Sequence, residues 1–290
     1  MQTIDLRELE KLNTLRLSII RSMSQGEGLR RSSAKGRSAE FSGYREYIPG
    51  DDMRYVDWNA FARLDKLYIK EFMEEKEGRV SIFLDTSKSM DFGEKLKSTL
   101  MAELTEAISY VATLGRDSVY VTDIGDASNT IRVPSGNSGV SVLKKWLEGI
   151  TVHGRIDMLD TLRRTIKGRG GVAFVISDFM DEAFLEQEKD ILRLFQYHNM
   201  KPTLLHVLSK EELEITEEGA RQLIDSEDET KEVRLTLDRY SIRDYKKTLD
   251  NYMRRISETA KLSGAGYVMC STEDSIQKLI FEDLKLLFER

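Results

Sequence analysis

The sequence predicts an α/β fold in which a mostly parallel central sheet is flanked by helices. Three observations predict it. From Val80 onward, short apolar runs alternate with helical patterns, as strand–helix crossovers do. The run Val80-Ser81-Ile82-Phe83-Leu84 is nearly all apolar, which suits a strand covered on both faces. It stops at Asp85, with Ser87 and Ser89 at alternate positions after it and a helical pattern beginning near Glu94. The carboxyl ends of such strands are where open α/β sheets place their ligands.

The elements follow in order. Leu6, Leu9, Leu12, Leu15, Leu17 and Ile20, mixed with charges, predict an amphipathic N-terminal helix. Residues 25–38 carry glycines and serines among Arg30, Arg31, Lys35 and Arg37, a pattern of a solvated basic loop. The stretch from Glu40 to Asn59 is rich in aromatics, arginine and aspartate, with a turn at Pro49-Gly50. Its aromatics can cluster while Arg–Asp pairs make bidentate contacts. Tyr44, Arg45, Tyr47, Asp51, Asp52, Arg54, Asp57 and Trp58 are therefore a candidate interaction surface, and the same composition fits a structural plug. Leu67 to Phe72 alternates like a strand.

Beyond Asp85, Leu96, Leu100, Leu104, Ala107, Val111 and Leu114 mark a helix that Gly115 ends. Val119–Val121 and Thr130–Val133 read as strands, and Val140, Leu143 and Leu147 as a helix closed by Gly149. The loop Thr151–Arg155 opens a helix around Met158–Ile166. Gly168, Gly170 and Gly171 precede the strand Val172–Ile176, whereas a dinucleotide fingerprint follows its strand. That strand ends in Ser177-Asp178-Phe179, a second acid at a strand's carboxyl end. A helix around Phe184–Phe195 follows, then the strand Thr203–Leu208 with His206 as a core residue. The pieces between Glu211 and Thr236 read as short strands outside the main sheet. A long helix (Tyr245 to Ala260), the strand Tyr267–Cys270 and a final helix with Ile276, Leu279, Ile280, Leu284 and Leu287 complete the pattern.

Composition narrows the function. The net charge of −6 over 290 residues argues against general nucleic-acid affinity. A single cysteine, Cys270, excludes an internal disulfide and a cysteine-built zinc site. His153, His198 and His206 show no metal-ligand spacing. The N-terminus lacks the apolar core of a signal peptide and no run reaches the roughly 20 residues of a membrane span, so a cytoplasmic protein without membrane insertion is expected.

Asp85, Ser87 and Ser89 offer one carboxylate and two hydroxyls, hard ligands suited to magnesium or manganese. Asp178 joins them if the two strands are neighbours in a parallel sheet. Asp and Ser before helices are also ordinary caps.

Asp85-Thr86-Ser87-Lys88-Ser89 resembles the D-x-S-x-S motif of von Willebrand factor type A domains, which in that family forms the metal-ion-dependent adhesion site. A second stretch comprises Glu40-Phe41, Tyr44-Arg45-Glu46-Tyr47, Pro49-Gly50-Asp51-Asp52, Arg54, Asp57-Trp58 and Ala62-Arg63. It is similar to the signature of a bacterial family catalogued as domain of unknown function 58 (DUF58), in which it precedes an A-type domain. The resemblance implies a Rossmann-like A-type domain over 79–290, preceded by an N-terminal segment, 1–78, that packs on it. It also implies an accessory β-element combining 67–72 with strands within about 209–238. By the same resemblance Asp85, Ser87, Ser89 and Asp178 are metal ligands, and Ile156 stands where a ligand threonine is expected, with Asp157 beside it as a substitute. An isoleucine cannot ligate. The family further implies partnership with a MoxR-type AAA+ ATPase in chaperone-like assembly or maturation of protein complexes.

The function expected is thus a noncatalytic interaction module whose metal is completed by an acidic side chain of a client protein. The alternative is a metal-dependent phosphohydrolase on the same sheet. Such enzymes of the haloacid-dehalogenase type place a second aspartate two residues after the first, where this chain has Ser87. Nucleic-acid binding by Arg30, Arg31, Lys35 and Arg37 is disfavoured by the acidic balance.

Overall fold

The computed structural model describes residues 4, 6–12, 15–17, 39–74, 78–215, 219–224, 232–285 and 288–289. The basic loop with Arg30, Arg31, Lys35 and Arg37, and the helical positions Ile20 and Leu287, lie outside the described residues. The chain divides into two units, one of residues 1–23 with 78–290 and one of residues 24–77.

The larger unit is built on a six-stranded sheet among the described residues. Its strands are β4 (Arg79–Leu84), β5 (Ser118–Asp123), β6 (Thr130–Val133), β7 (Val172–Ser177), β8 (Lys201–Leu208) and β11 (Gly266–Ser271), in the order β11-β8-β7-β4-β5-β6. Every neighbouring pair is parallel except β5 with β6, as the alternation of strands and helices predicts.

Alternate side chains of the central strands feed two separate cores. Val80, Ile82, Leu84, Phe174 and Ile176 pack on one face with α3 (Lys97–Leu114) and α4 (Asn137–Glu148). Phe83, Ala173 and Val175 pack on the other with α5 (Met158–Thr165), α6 (Glu182–Tyr197) and α7 (Arg239–Leu262). The result is a three-layer α/β/α arrangement. Each of the fully buried aliphatic side chains contributes about 1.5–3 kcal/mol. Cys270 and His206 are buried in their strands, as expected, and burial pushes the Cys270 thiol up to about 12.

Gly171 explains the glycine run before β7. Its φ is +89°, and a Cβ there would sit 2.1 Å from the Arg79 carbonyl oxygen. The glycines let two strands start close together; they serve sheet packing.

Three expectations are corrected. The N-terminal helix is short, α1 (Leu6–Glu10), and β1 (Arg16–Leu17) then pairs antiparallel with β12 (Phe288–Glu289). Ile4, Leu9, Leu12 and Leu15 are buried in the first core, so this segment belongs to the larger unit and not to one block with 24–78. Leucines spaced by three drift off a 3.6-residue helical face, and one turn satisfies them. Second, β3 (Tyr68–Glu74) pairs with β2 (Ala39–Glu46), while β9 (Gly219–Ile224) pairs with β10 (Glu232–Leu237). These are two separate antiparallel hairpins and not one accessory element. Antiparallel strands close in sequence pair at the lowest loop-closure cost. The last predicted helix is a short helical turn, Ile276–Lys278, continued by a π-helical turn, Leu279–Asp283.

The smaller unit holds the β2–β3 hairpin and α2 (Trp58–Leu64). Asp57 caps α2 by accepting from the Asn59 and Ala60 amides. Asp65, at φ 53°, ends it in the left-handed conformation.

Candidate metal centre

The strand order fixes where a site can form. From β4 the chain runs outward through β5 and β6, then returns to the opposite side of β4 as β7. Strand order therefore reverses between β4 and β7, and the crevice at their carboxyl ends is the usual ligand position of such sheets. Asp85 follows β4 and Asp178 follows β7. The strands are in register at Leu84 and Ile176, and the Asp85 amide donates to the Ile176 carbonyl at 2.9 Å. Two acids far apart in sequence are thereby set side by side.

Asp85 is only 6 % exposed. Its Oδ1 accepts the Ser87 amide at 2.9 Å, and its Oδ2 accepts the Ser177 hydroxyl. Burial, and next the Asp178 charge, raise its carboxyl above the ordinary range. Ser87 is buried too, and Ser89 sits in a short 3-10 turn, Lys88–Asp91. The Ser87 and Ser89 hydroxyl oxygens lie 2.9 Å apart.

This donor set fits a small hard cation. The two hydroxyls are hydrogen-bonded to each other at 2.9 Å, and adjacent oxygens of an octahedron with ligand distances near 2.1 Å are about 3.0 Å apart, so both can turn to one ion with little movement. A cation beside Asp85 would also offset the cost of its buried charge. Phe179, directly after Asp178, has φ 48°, an unusual conformation for a bulky side chain. The Tyr252 hydroxyl donates to its carbonyl, and its ring packs on Phe184 and His206. Strain of this kind persists where the surroundings over-determine it.

The other candidate residues are placed as follows. Ile156 turns against the second core, and Asp157 caps α5 by accepting the Asp160 amide at 2.9 Å. What the same loop brings to Ser87 is His153: the two form a parallel bridge, and the His153 amide donates to the Thr86 carbonyl at 2.8 Å. The His153 ring lies 3.6 Å from Asp123 Oδ2, and Asp123 also accepts the Thr86 hydroxyl at 2.6 Å. Gly125 makes room for this ring, since a Cβ there would fall 2.1 Å from it.

Sequence reasoning missed Lys97 and Glu212. Lys97 is 1 % exposed, with Nζ 2.7 Å from Asp178 Oδ2 and 2.6 Å from Glu212 Oε1. Burial alone would lower its ammonium, but the two carboxylates outweigh burial and raise it. A signal was present in each case. Lys97 lies on the helical face of Leu100, Met101 and Leu104, where a charge demands a partner. Ser209-Lys210-Glu211-Glu212 is a capping-box sequence, and the box forms.

In the smaller unit, Tyr44 is 53 % and Trp58 58 % exposed, with Ile48, Met53, Tyr55 and Leu64 exposed near them in sequence. Trp58 packs edge-on against Phe61. Arg45 grips Asp51 with two hydrogen bonds, of 2.6 and 2.7 Å, and Arg54 does likewise with Asp52. Asp57 is buried; the Tyr44 hydroxyl, which donates to it at 2.9 Å, leads the contacts that hold its carboxyl down at about 2. Arg45, Asp51 and Asp57 thus hold the loop, while Tyr44 and Trp58 face outward.

The family described as "Protein of unknown function DUF58" matches residues 43–254, a span that includes both regions. Three uncharacterized proteins, one from Mycobacterium bovis and two from strains of Mycobacterium tuberculosis, are each 28 % identical over 155 residues. The match covers 50 % of this chain and 48 % of each of them, so the chain spans about half the length of the curated relatives it matches. Among the described residues no helix is long and apolar enough to cross a membrane.

Proposed function

The chain belongs to the DUF58 family, and from that premise we propose that it is a noncatalytic interaction module of von Willebrand factor A type. Asp85, Ser87 and Ser89 would hold a magnesium or manganese ion, with Asp178 near it. The observation that carries this reading is the Ser87–Ser89 hydroxyl pair, 2.9 Å apart beside a desolvated carboxylate. The ion would supply a positive centre with water-filled positions that a carboxylate can take. An acidic side chain of a client protein is the ligand of matching chemistry. Tyr44 and Trp58 offer a second contact surface, since exposed aromatics tend to dominate interface energy.

The noncatalytic reading is supported by what stands two residues after Asp85. Ser87 occupies the position where a phosphohydrolase would need its general acid, and an alcohol has no carboxyl proton to give there. We assign the partner from the family resemblance alone: a MoxR-type AAA+ ATPase in the cytoplasm, with this chain presenting clients for chaperone-like assembly or maturation.

Titration calorimetry with magnesium and manganese tests the site, with Asp85→Ala as control. Saturable binding by the native chain, lost in Asp85→Ala while circular dichroism is unchanged, is the expected result. Binding that persists in Asp85→Ala overturns the assignment.

A further inference from the structure

We propose that Lys97 is a built-in cation of this site: it holds Asp178 against a divalent ion and so limits how tightly the Asp85 loop binds one. The inference rests on the metal reading of Asp85. Lys97 opens α3, twelve residues after Asp85, and its ammonium is 1 % exposed. It reaches Asp178 Oδ2 at 2.7 Å, and Asp178 is the carboxylate whose charge bears on Asp85. A buried ammonium within hydrogen-bond distance of an acid does electrostatically what a metal ion does, without dissociating. Ionised, the three carboxylates and one ammonium leave two net negative charges, matched by one divalent ion.

The second hold on Lys97 comes from the far side. Glu212 Oε1 accepts from its Nζ at 2.6 Å, while Glu212 Oε2 accepts the Ser209 amide at 2.7 Å. Glu212 is thus fixed by its own capping box and shares the Lys97 ammonium with Asp178. Tyr245 braces the same turn by donating to the Glu212 carbonyl at 3.0 Å. One ammonium with three N–H donors serves both acids, and each carboxylate adds a negative charge to the site.

Opposite signs follow for the two partners. Lys97→Met frees Asp178 and should tighten magnesium about tenfold or more. Glu212→Gln keeps a capping-box residue but leaves Lys97 to Asp178, and should weaken magnesium several-fold. Lys95→Met removes a like charge two residues away, from the turn just before α3; its Nζ lies 3.5 Å from Glu103, and the affinity should change by less than about twofold.

The experiment is magnesium calorimetry on the full chain and these three variants, each checked for folding by circular dichroism. A role for Lys97 as structural glue alone predicts lost stability with no gain in affinity. Native binding with no gain in a folded Lys97→Met overturns this proposal and leaves the metal reading standing. Binding by Lys97→Met alone, lost on adding Asp85→Ala, supports the proposal and overturns a metal-loaded resting state. Binding by neither overturns both. Should Lys97→Met fail to fold, Glu212→Gln decides, and an unchanged affinity there overturns the proposal.

Discussion

The two regions of the molecule use the same chemistry in opposite settings. At the carboxyl ends of β4 and β7, Lys97 joins Asp178 and Glu212, with side-chain exposures of 1 %, 5 % and 15 %. On the smaller unit, Arg54 joins Asp52 at exposures of 82 % and 42 %, with an equally short contact of 2.6 Å. Distance alone would rank these pairs as equals. Burial separates them, because water screens the second pair and cannot reach the first. The buried pair fixes a site; the exposed pair ties two neighbours in one turn.

The sharpest way to break this comparison is to remove one cation from each region. Lys97→Met leaves the buried Asp178 and the half-buried Glu212 uncompensated and should cost about 3–5 kcal/mol in urea unfolding. A loss under ~1 kcal/mol would mean that water reaches the site and that burial is not what distinguishes the pairs.

A buried carboxylate without a cationic hydrogen-bond partner sharpens it further. Glu106 accepts the Ile4 amide at 2.9 Å through Oε2, while its buried Oε1 has no hydrogen-bond partner among the described residues. Burial pushes its carboxyl up to about 7. The folded state therefore holds a proton that the unfolded chain releases near 4.5. Its contribution to stability is fully present below that value and is lost as pH rises to about 7. Glu106→Gln should remove this slope and stabilise the chain by about 1–3 kcal/mol at pH 8, with little effect at pH 4.5. Melting curves at the two pH values measure it, and an equal effect at both would contradict the assignment.

The smallest effect belongs to the exposed pair. Arg54→Ala should leave the melting temperature within error. A fall comparable to that of Lys97→Met would show that the turn Asp51–Tyr55 is not solvated.

Much of this was legible in the sequence. The strand ending at Asp85, the acid at 178, the helix ends at Gly115 and Gly149 and the buried His206 all follow from periodicity and local turn chemistry. Bidentate Arg–Asp pairs between Glu40 and Asn59 were legible because their partners are close in sequence, and the structure assigns Arg45 to Asp51 and Arg54 to Asp52. The accessory β-element that the resemblance implies is a different case, since the strands themselves are legible and their partners are not. Alternation marks a strand and leaves its partner open, and 67–72 matched a late strand as well in pattern as it did β2.

By itself the sequence determined the α/β class, the strand ends and the carboxylate and hydroxyls of the Asp85 loop, because these depend on side-chain periods of 2 and 3.6 over short windows. Tertiary structure alone decided which charges meet. Lys97 finds Asp178 across 81 positions and Glu212 across 115, and the backbone of His153 bridges to Ser87 while Ile156 packs on the second core. No local pattern encodes such pairs. They exist because the reversal of strand order at β4 and β7 brings three loops to one crevice, where burial makes each unpaired charge too costly to leave alone.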